Sequence, residues 1–316
     1  MTPAPTSTRI PPTLQWGVIL ALGTALISGL SIYVNAFAVK QLPDAAVYTT
    51  LKNGVAAVLL VALMAATVRP ATIRSIQPRS WGRLAVIGIV GGSLPFLLFF
   101  AGLAQASAPS SAFIHKTLFI WVALLAVPFL GERLGLAQLG ALAVLLGSQL
   151  LILTPAGVTW GIGETMIAAA TLLWALETIV ARRVLREVPA AVVGAARLGF
   201  GLVVLVGYLA ITGKLGAIGA LRGDQWVWVL LTGGLLTGYV GTWFAALQRA
   251  PASLVTAILV LGAPVTAGLQ VLTTGSAPAP AVLTGQILVL LAGSALVLPA
   301  LRRRRLATVA APATAG

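Results

Sequence analysis

Six ionisable side chains interrupt the long apolar stretches of this chain: Lys52, His115, Lys116, Glu164, Glu177 and Arg197. A charged side chain at the centre of a membrane-spanning helix costs about 2.5–3.5 kcal/mol on insertion scales, so each group needs a polar cavity or a partner. Buried cations can hold a carboxylate through charge-assisted hydrogen bonds, and buried carboxylates can pair with cations or carry protons. These six side chains are therefore the first candidates for a binding site.

The two lysines have similar predicted depths. Lys116 lies about seven residues into the fourth apolar stretch, roughly 10 Å below the surface by the rise of a helix, and Lys52 reaches a comparable depth in the second. Either lysine could extend its ammonium group outward to the interface, or it could point into a central cavity and hold an anionic group. His115 is about 100° around the helix from Lys116. It could be a neutral hydrogen-bonding group, a proton-coupling site or a structural donor.

The acidic residues and the arginine suggest ion pairs. Glu164 lies one turn inside the outer end of the sixth stretch, at a depth comparable with that of the lysines, so pairing with one of them is feasible. Glu177 lies near the inner end of the same stretch, where Arg197 or Arg182 could neutralise it. We predict coupling or gating roles for Glu164, Glu177 and Arg197, with structural ion pairs as the alternative.

Aromatic side chains near these charges could form the walls of a cavity. Six of them lie in the apolar stretches: Tyr33, Phe96, Trp121, Trp174, Tyr239 and Trp243. The alternative is ordinary packing or an interfacial belt, which accounts for most aromatic residues in membrane helices. The predicted substrate-binding residues are Lys116, His115, Lys52, Tyr33, Trp121, Trp174, Tyr239 and Trp243. Glu132 closes the fourth stretch, where a helix cap or a loop salt bridge is expected.

The composition places the chain in a membrane. Of its 316 residues, 59% are hydrophobic and 8% are charged, whereas about a quarter of a soluble protein is charged. The absence of cysteine and the single histidine exclude thiol chemistry, Cys-ligated metals and multi-histidine sites. The sequence has no phosphate-binding loop of the Walker type. We therefore expect no metal and no cofactor.

Ten apolar runs of about 20 residues follow one another with little between them. They cover residues 16–38, 45–67, 82–104, 109–130, 136–153, 160–180, 190–212, 226–247, 252–273 and 281–300. Backbone at bilayer depth must satisfy its own hydrogen bonds, and uniformly apolar segments of this length do so as helices rather than barrel strands. The first run is too long for a signal-peptide core. The sequence predicts an all-α integral membrane protein with ten transmembrane helices.

The chain repeats itself at an offset of 144 to 146 residues. Trp16-Gly17 falls on Trp160-Gly161, and Lys52 falls on Arg197. Each copy has five helices, an odd number, so the copies must enter the bilayer from opposite sides. We predict an N-terminal tail (residues 1–15), two inverted five-helix repeats (16–154 and 160–301) and a basic C-terminal tail (302–316).

The basic residues orient the chain. If the N-terminus is cytoplasmic, fourteen Lys and Arg residues fall in the inner loops and tails and three in the outer loops, with three more inside the apolar runs. This distribution follows the positive-inside rule and places both termini in the cytoplasm. It explains the net charge of +14 without a nucleic-acid partner.

Several short motifs resemble the EamA repeat of the drug/metabolite transporter superfamily. They are Ala108-Pro109-Ser110-Ser111-Ala112 opening the fourth run, Gly131-Glu132-Arg133-Leu134 closing it, Gln138-Leu139-Gly140-Ala141, and Arg249-Ala250-Pro251-Ala252-Ser253 in the second half. The resemblance covers nearly the whole chain. It implies secondary transport, commonly export of amino acids or other small metabolites, in a prokaryotic plasma membrane. The chain departs from the family pattern at Ser276, where Glu is usual, and at Ile120, where Pro is usual.

The resemblance and the buried lysines favour one function over three others. We expect an exporter that moves a small metabolite, amino-acid-like or otherwise carrying an anionic group, by alternating access with proton coupling. The alternative is proton-coupled efflux of cationic or lipophilic compounds, which needs a deep acid. A membrane-embedded lipid enzyme or a channel is less favoured, because the scattered acids form no catalytic cluster. The expected partners are a small-molecule substrate and membrane lipid, and the sequence leaves a monomer and a homodimer equally open.

Overall fold

The computed structural model describes residues 12–103, 105, 106, 108–153 and 160–309, and within these ranges it contains helices and no strands. In chain order the helices are α1 (Pro12–Gln41), α2 (Ala45–Thr67), α3 (Pro70–Arg74), α4 (Pro78–Gly92), α5 (Leu94–Leu103), α6 (Ala108–Lys116), α7 (Leu118–Leu130), α8 (Leu136–Leu153), α9 (Ile162–Val184), α10 (Ala190–Ile211), α11 (Gly216–Gly219), α12 (Gly223–Arg249), α13 (Ala252–Leu259), α14 (Gly262–Thr274) and α15 (Pro280–Val309). The predicted all-α class is confirmed. The tail residues 1–11 and 310–316 and the linker 154–159 lie outside the described residues.

These helices make ten passes. Nine helical segments of the described chain are long and apolar enough to span a membrane, and α8 supplies a shorter apolar helix over Leu136–Ile152. Three passes are built from two helices each: α4 with α5, α6 with α7, and α13 with α14. The ten runs predicted from hydropathy correspond to these passes. The largest shifts at a helix start, four residues, are at the first pass, which begins at Pro12, and at the third, which begins at Pro78.

The loops gather at two faces of the helix bundle. One face, which we call the arginine-rich side, carries Arg69, Arg74, Arg79, Arg133, Arg182 and Arg249 at helix ends. Here Arg182 Nη1 donates to the carbonyl of Gln248 at 3.2 Å. At the opposite side Gln225 Nε2 donates to the carbonyl of Gln41 at 2.6 Å. The first bond lies within the second half of the sequence, and the second joins the two halves.

The two halves run in opposite directions. Lys52 lies seven positions after Ala45, where α2 begins at the opposite side, and Arg197 lies seven positions after Ala190, where α10 begins at the arginine-rich side. The two residues matched by the repeat therefore lie at mirrored depths. The helix contacts follow the same symmetry: α1 packs against α12, α4 and α5 against α9, α2 against α10, α7 against α13, and α8 against α15.

Two of the helix breaks are related by the repeat. The break between α6 and α7 lies at Thr117, and the break between α13 and α14 lies at Val260 and Leu261, 144 residues later. Each of these passes ends at a left-handed glycine, with a φ angle of 69° at Gly131 and 66° at Gly275. The third break, at Ser93, has no counterpart, because α12 is continuous. The two copies thus differ in the pass that carries Ser93.

Candidate substrate-binding site

The break at Ser93 exposes a backbone acceptor in the middle of the bundle. Ser93 has non-helical angles (φ −138°, ψ −69°), and Pro95 has no N–H with which to bond the carbonyl of Gly91. That carbonyl instead accepts hydrogen bonds from Trp174 Nε1 at 3.1 Å and Arg197 Nη2 at 3.0 Å. Two side chains of the second repeat are therefore anchored on a carbonyl that the first repeat leaves free.

An ion pair lies beside this carbonyl. Arg197 Nε is 3.4 Å from Glu177 Oε1, and the two side chains are 7% and 2% exposed. Of the two cations proposed for Glu177, the structure selects Arg197. A Cβ atom at Gly91 would lie 2.3 Å from Glu177 Cγ, so only glycine leaves room for the carboxylate there. The pair brings no net charge into the bilayer.

Lys52 has no such partner. Its Nζ donates to Asn35 Oδ1 at 3.2 Å, and the Tyr48 hydroxyl donates to the same oxygen at 2.5 Å. The ammonium lies 5.2 Å from the centre of the Tyr48 ring and 6.0 Å from that of Phe96. Lys52 is 6% exposed, and within the described ranges no carboxylate lies within 4 Å of it. It is a buried cation held by a neutral amide and two aromatic rings.

An aromatic cluster joins these two groups of residues to the fourth pass. Phe96 contacts Trp174 edge to face at 5.3 Å. The ring centre of His115 lies 5.0 Å from that of Trp174 and 5.2 Å from that of Phe99. His115 Nδ1 is buried and has no hydrogen-bond partner among the described residues. Lys116, the last residue of α6, is half-buried and forms no ion pair there.

Tyr239 and Trp243 lie on the other flank of the ion pair. Their rings stack at 6.1 Å with an interplanar angle of 9°. Tyr239 is close enough to Arg197 and Glu177 for electrostatic interaction. Seven of the predicted residues are thus neighbours. Phe96 lies against Lys52, Arg197 and Trp174, and the ring of Phe244 lies on another side of Arg197. The seven are Lys52, His115, Trp174, Glu177, Arg197, Tyr239 and Trp243.

Glu164 does not pair with a lysine in the structure, so the pairing considered for it is wrong. Its Oε2 accepts a hydrogen bond from the N–H of Gly161 at 3.0 Å, at the start of α9. A glutamate at the third helical position reaches back to the backbone before the helix. Its carboxylate also faces the positive end of the helix dipole. These two local interactions satisfy Glu164 without a second side chain.

Tyr33 and Trp121 lie apart from the ion pair. The Tyr33 hydroxyl donates to Thr273 Oγ1 at 2.8 Å, and this bond ties α1 to α14. Trp121 is 40% exposed, and Leu124 on the same flank of α7 is 60% exposed. The Trp121 indole N–H donates to Thr117 Oγ1 at 3.0 Å, one turn earlier. Among the described residues neither aromatic ring contacts the charged residues, and a place for the two rings in a cavity wall stays a prediction.

Sequence reasoning missed Asn35 and Tyr48. Tyr48 precedes Lys52 by four residues and therefore shares a face of α2 with it. That spacing could have indicated the pair. Asn35 is on another helix, and no sequence spacing predicts its contact with Lys52. No group of three His, Asp or Glu residues that could hold a metal ion occurs in the parts of the chain that the structure describes.

Comparisons with known proteins agree with this architecture. One solved structure, described as "Crystal structure of protein", superposes with a TM-score of 0.72 and 20% sequence identity, over 92% of this chain and 98% of that chain. At this identity the likeness shows the fold alone. A search of curated protein sequences gave no match. A family model described as "EamA-like transporter family" matches twice, over residues 15–154 and 161–298. This double match covers both repeats, and the chain belongs to the EamA-like transporter family of membrane transporters.

Proposed function

We propose that this transporter is a secondary carrier that exports a small metabolite bearing an anionic group, by alternating access between the two sides of the membrane. The metabolite is amino-acid-like or carries another carboxylate-type group. The observation that carries this proposal is Lys52, a buried ammonium without a carboxylate partner. The positive-inside distribution of arginines supports cytoplasmic termini, and membership of the EamA-like transporter family supports a location in the plasma membrane of a prokaryote.

The charge balance of the membrane interior supports an anionic substrate. Glu177 and Arg197 neutralise each other. Lys52 and Lys116 then remain as two cations without an acidic partner among the described residues. A buried, unpaired charge is unfavourable. A bound anion supplies the missing partner, and the interaction is strong because little water competes for it.

The neighbouring side chains support a substrate with a polar head and an apolar body. Tyr48 and Asn35 place a hydroxyl and an amide next to the ammonium of Lys52. Phe96 and Trp174 extend an apolar wall from the same point. The free Nδ1 of His115 adds a hydrogen-bonding group at the far end of that wall. We place the anionic group at Lys52 and the rest of the substrate along the rings.

The efflux of cationic compounds is less favoured by the same geometry. A cation carrier needs a deep acid that is free to exchange a proton for its substrate. Glu177 is engaged by Arg197, and Glu164 is engaged by the start of α9. Proton coupling remains part of the proposal, with the free Nδ1 of His115 as the proton carrier and the ion pair of Glu177 and Arg197 as a gate.

The test is the Lys52→Met variant, with Lys52→Arg as the conservative change. Because an unpaired buried cation is unfavourable, Lys52→Met should not lower thermal stability, yet it should abolish exchange of the substrate in proteoliposomes. Lys52→Arg keeps the charge and should retain part of the activity. Lys40→Met is the matched control, since Lys40 is exposed in the last turn of α1.

The substrate is identified first, by thermal stabilisation with separate panels of anionic, zwitterionic and cationic metabolites, because a bound ligand raises the apparent stability. Anionic and zwitterionic compounds should stabilise the native protein and should not stabilise Lys52→Met. Undiminished exchange by a folded Lys52→Met protein would contradict the proposal. Selective stabilisation by cations would favour the alternative function.

A further inference from the structure

We propose that Glu132 is a gating residue: its carboxylate latches α7 to α13 and keeps the arginine-rich side closed, so the latch must open in each transport cycle. The proposal rests on transport by alternating access, as argued above. It does not depend on which substrate is carried. We call the hydrogen-bonded group of Glu132, Ala252 and Ser253 the latch.

The latch joins the two repeats through one side chain. Glu132 follows α7 in the first repeat, and Ala252 and Ser253 begin α13 in the second. Glu132 accepts hydrogen bonds from the backbone N–H groups of Ala252 at 2.6 Å and Ser253 at 3.1 Å, and from Ser253 Oγ at 2.5 Å. Ser253 is 1% exposed. A carboxylate from one repeat thus caps the helix of the other.

The electrostatic setting strengthens this contact. The start of a helix carries a partial positive charge and unsatisfied N–H groups, so a carboxylate is stabilised there. Arg182 is near enough to attract the Glu132 carboxylate. Gln138 Nε2 donates to Ser253 Oγ at 3.2 Å, which orients that hydroxyl toward the carboxylate. The latch, which joins the fourth and ninth passes, is therefore supported by residues at the ends of the fifth and sixth passes.

Among the described residues, the fourth and ninth passes pack mainly at the latched end. Their halves at the arginine-rich side, α7 and α13, pack against each other. Their halves at the opposite side, α6 and α14, form no contact of similar extent in the described part of the chain. These two passes therefore diverge from the latch toward the opposite side. The structure has the form of a carrier that is closed at the arginine-rich side.

The repeat supplies no equivalent latch at the opposite side. The position 144 residues after Glu132 is Ser276, which is exposed. Its hydrogen bonds stay within its own segment, to Thr274 Oγ1 at 3.3 Å and to the Thr274 carbonyl at 3.5 Å. Exchange of roles between the inverted repeats would bring Ser276 to the place of Glu132, without a carboxylate. The conformation closed at the arginine-rich side is therefore the favoured one.

The absence of cysteine allows a direct test of this equilibrium. Cysteines introduced by Leu136→Cys and Arg249→Cys would carry spin labels at two exposed positions on the arginine-rich side. The distances between the labels, measured by pulsed electron paramagnetic resonance, report opening of that side without substrate. In the protein with the native latch, the distance between the two labels should be mainly the short one, which corresponds to the closed arginine-rich side.

Glu132→Gln should add a longer distance, with a change on the order of tenfold in the ratio of open to closed molecules, as expected for the loss of a helix cap. Glu187→Gln is the matched control, because Glu187 is exposed on the same side and has only a 3.5 Å contact with Ser80 Oγ. It should leave the distances unchanged. An unchanged distribution in folded Glu132→Gln would overturn the gating role.

Ser276→Glu gives a second measurement that leaves the latch intact. This variant places a carboxylate at the opposite side, at the position equivalent to Glu132. It should therefore also raise the fraction of molecules that are open at the arginine-rich side. If Glu132→Gln fails to fold, an unaltered distribution in Ser276→Glu still refutes the proposal. Because no substrate is present in either experiment, failure of the Lys52 variants would remove the anionic-substrate proposal and leave this one standing.

Discussion

The ion pair of Glu177 and Arg197 allows a quantitative test of whether water is excluded from the centre of the protein. With 2% and 7% of the side chains exposed, removal of one partner leaves the other charge buried without compensation. Such a change costs about 3–5 kcal/mol. We therefore expect Glu177→Gln and Arg197→Met each to lower the free energy of unfolding by an amount in this range.

The double variant should be far less damaged than the sum of its parts. It contains no unpaired charge, and the Gly91 carbonyl keeps its hydrogen bond from Trp174 at 3.1 Å. The loss then reduces to one hydrogen bond from Arg197 to that carbonyl, about 0.5–1.5 kcal/mol. The single losses sum to about 6–10 kcal/mol, so the coupling energy of the cycle is about 4.5 kcal/mol or more, above the range of about 0.5–3 kcal/mol measured for most neighbouring residues.

The assay is equilibrium unfolding in mixed detergent micelles, followed by tryptophan fluorescence, on all four proteins of the cycle. Additive losses of less than about 1 kcal/mol each would show that water screens the pair, as at a protein surface, and would refute the buried geometry. Exchange in proteoliposomes then separates two roles of the pair. A stable double variant that still transports makes the pair structural, whereas a stable but inactive one supports coupling or gating.

Two further predictions concern contacts between the repeats. Burial alone would raise the pKa of Asp44, but hydrogen bonds from Lys214 and from two backbone amides hold the pKa below the ordinary value of 3.8. The ionised Asp44 therefore stabilises the folded protein above pH 3.8, and this stabilisation is lost as the pH falls through the lower pKa of the folded state. Asp44→Asn keeps a side-chain oxygen for the helix cap but loses the ion pair with Lys214, so it should lower the melting temperature at pH 7 by the equivalent of about 0.2–1 kcal/mol. A deficit that persisted unchanged well below pH 3.8 would contradict this. A Cβ at Gly92 would lie 2.1 Å from the carbonyl oxygen of Arg197, so Gly92→Ala should destabilise the contact of α4 with α10 by about 1–3 kcal/mol. Gly82→Ala, which meets nothing within 4 Å, is its control in the same unfolding assay, and equal stabilities would refute the close approach.

The membrane passes and the inversion of the repeats could be predicted from the sequence, because they depend on the length of the apolar runs and on the number of helices, and not on contacts between particular side chains. An apolar run of about 20 residues has few alternatives to a membrane helix. An odd number of helices per repeat forces the second copy to be inverted. The same repeat matches Lys52 with Arg197, and in the structure each residue lies seven positions after the first residue of its helix.

The partners within the site could not be predicted in the same way. Helices that are apolar on all sides give no period from which their rotation in the bundle can be determined. The sequence therefore did not indicate that Trp121 is exposed or that Asn35 contacts Lys52. The pairing of Glu164 was misjudged for a different reason: Glu164 is the third residue of α9, and a local helix cap competes successfully with a distant lysine.

The difference between the repeats explains why one buried cation is paired and the other is not. Both repeats place a cation at the same position of their second pass, Lys52 in one and Arg197 in the other. The second repeat supplies Glu177 from its first pass, and the position 144 residues earlier is Tyr33. The first repeat therefore lacks the carboxylate that its symmetry requires. An anionic substrate bound at Lys52 would supply the missing negative charge, so that both buried cations would be paired. Its release would leave Lys52 unpaired again. Binding would therefore alter the balance between the conformations that are open at one side of the membrane and at the other.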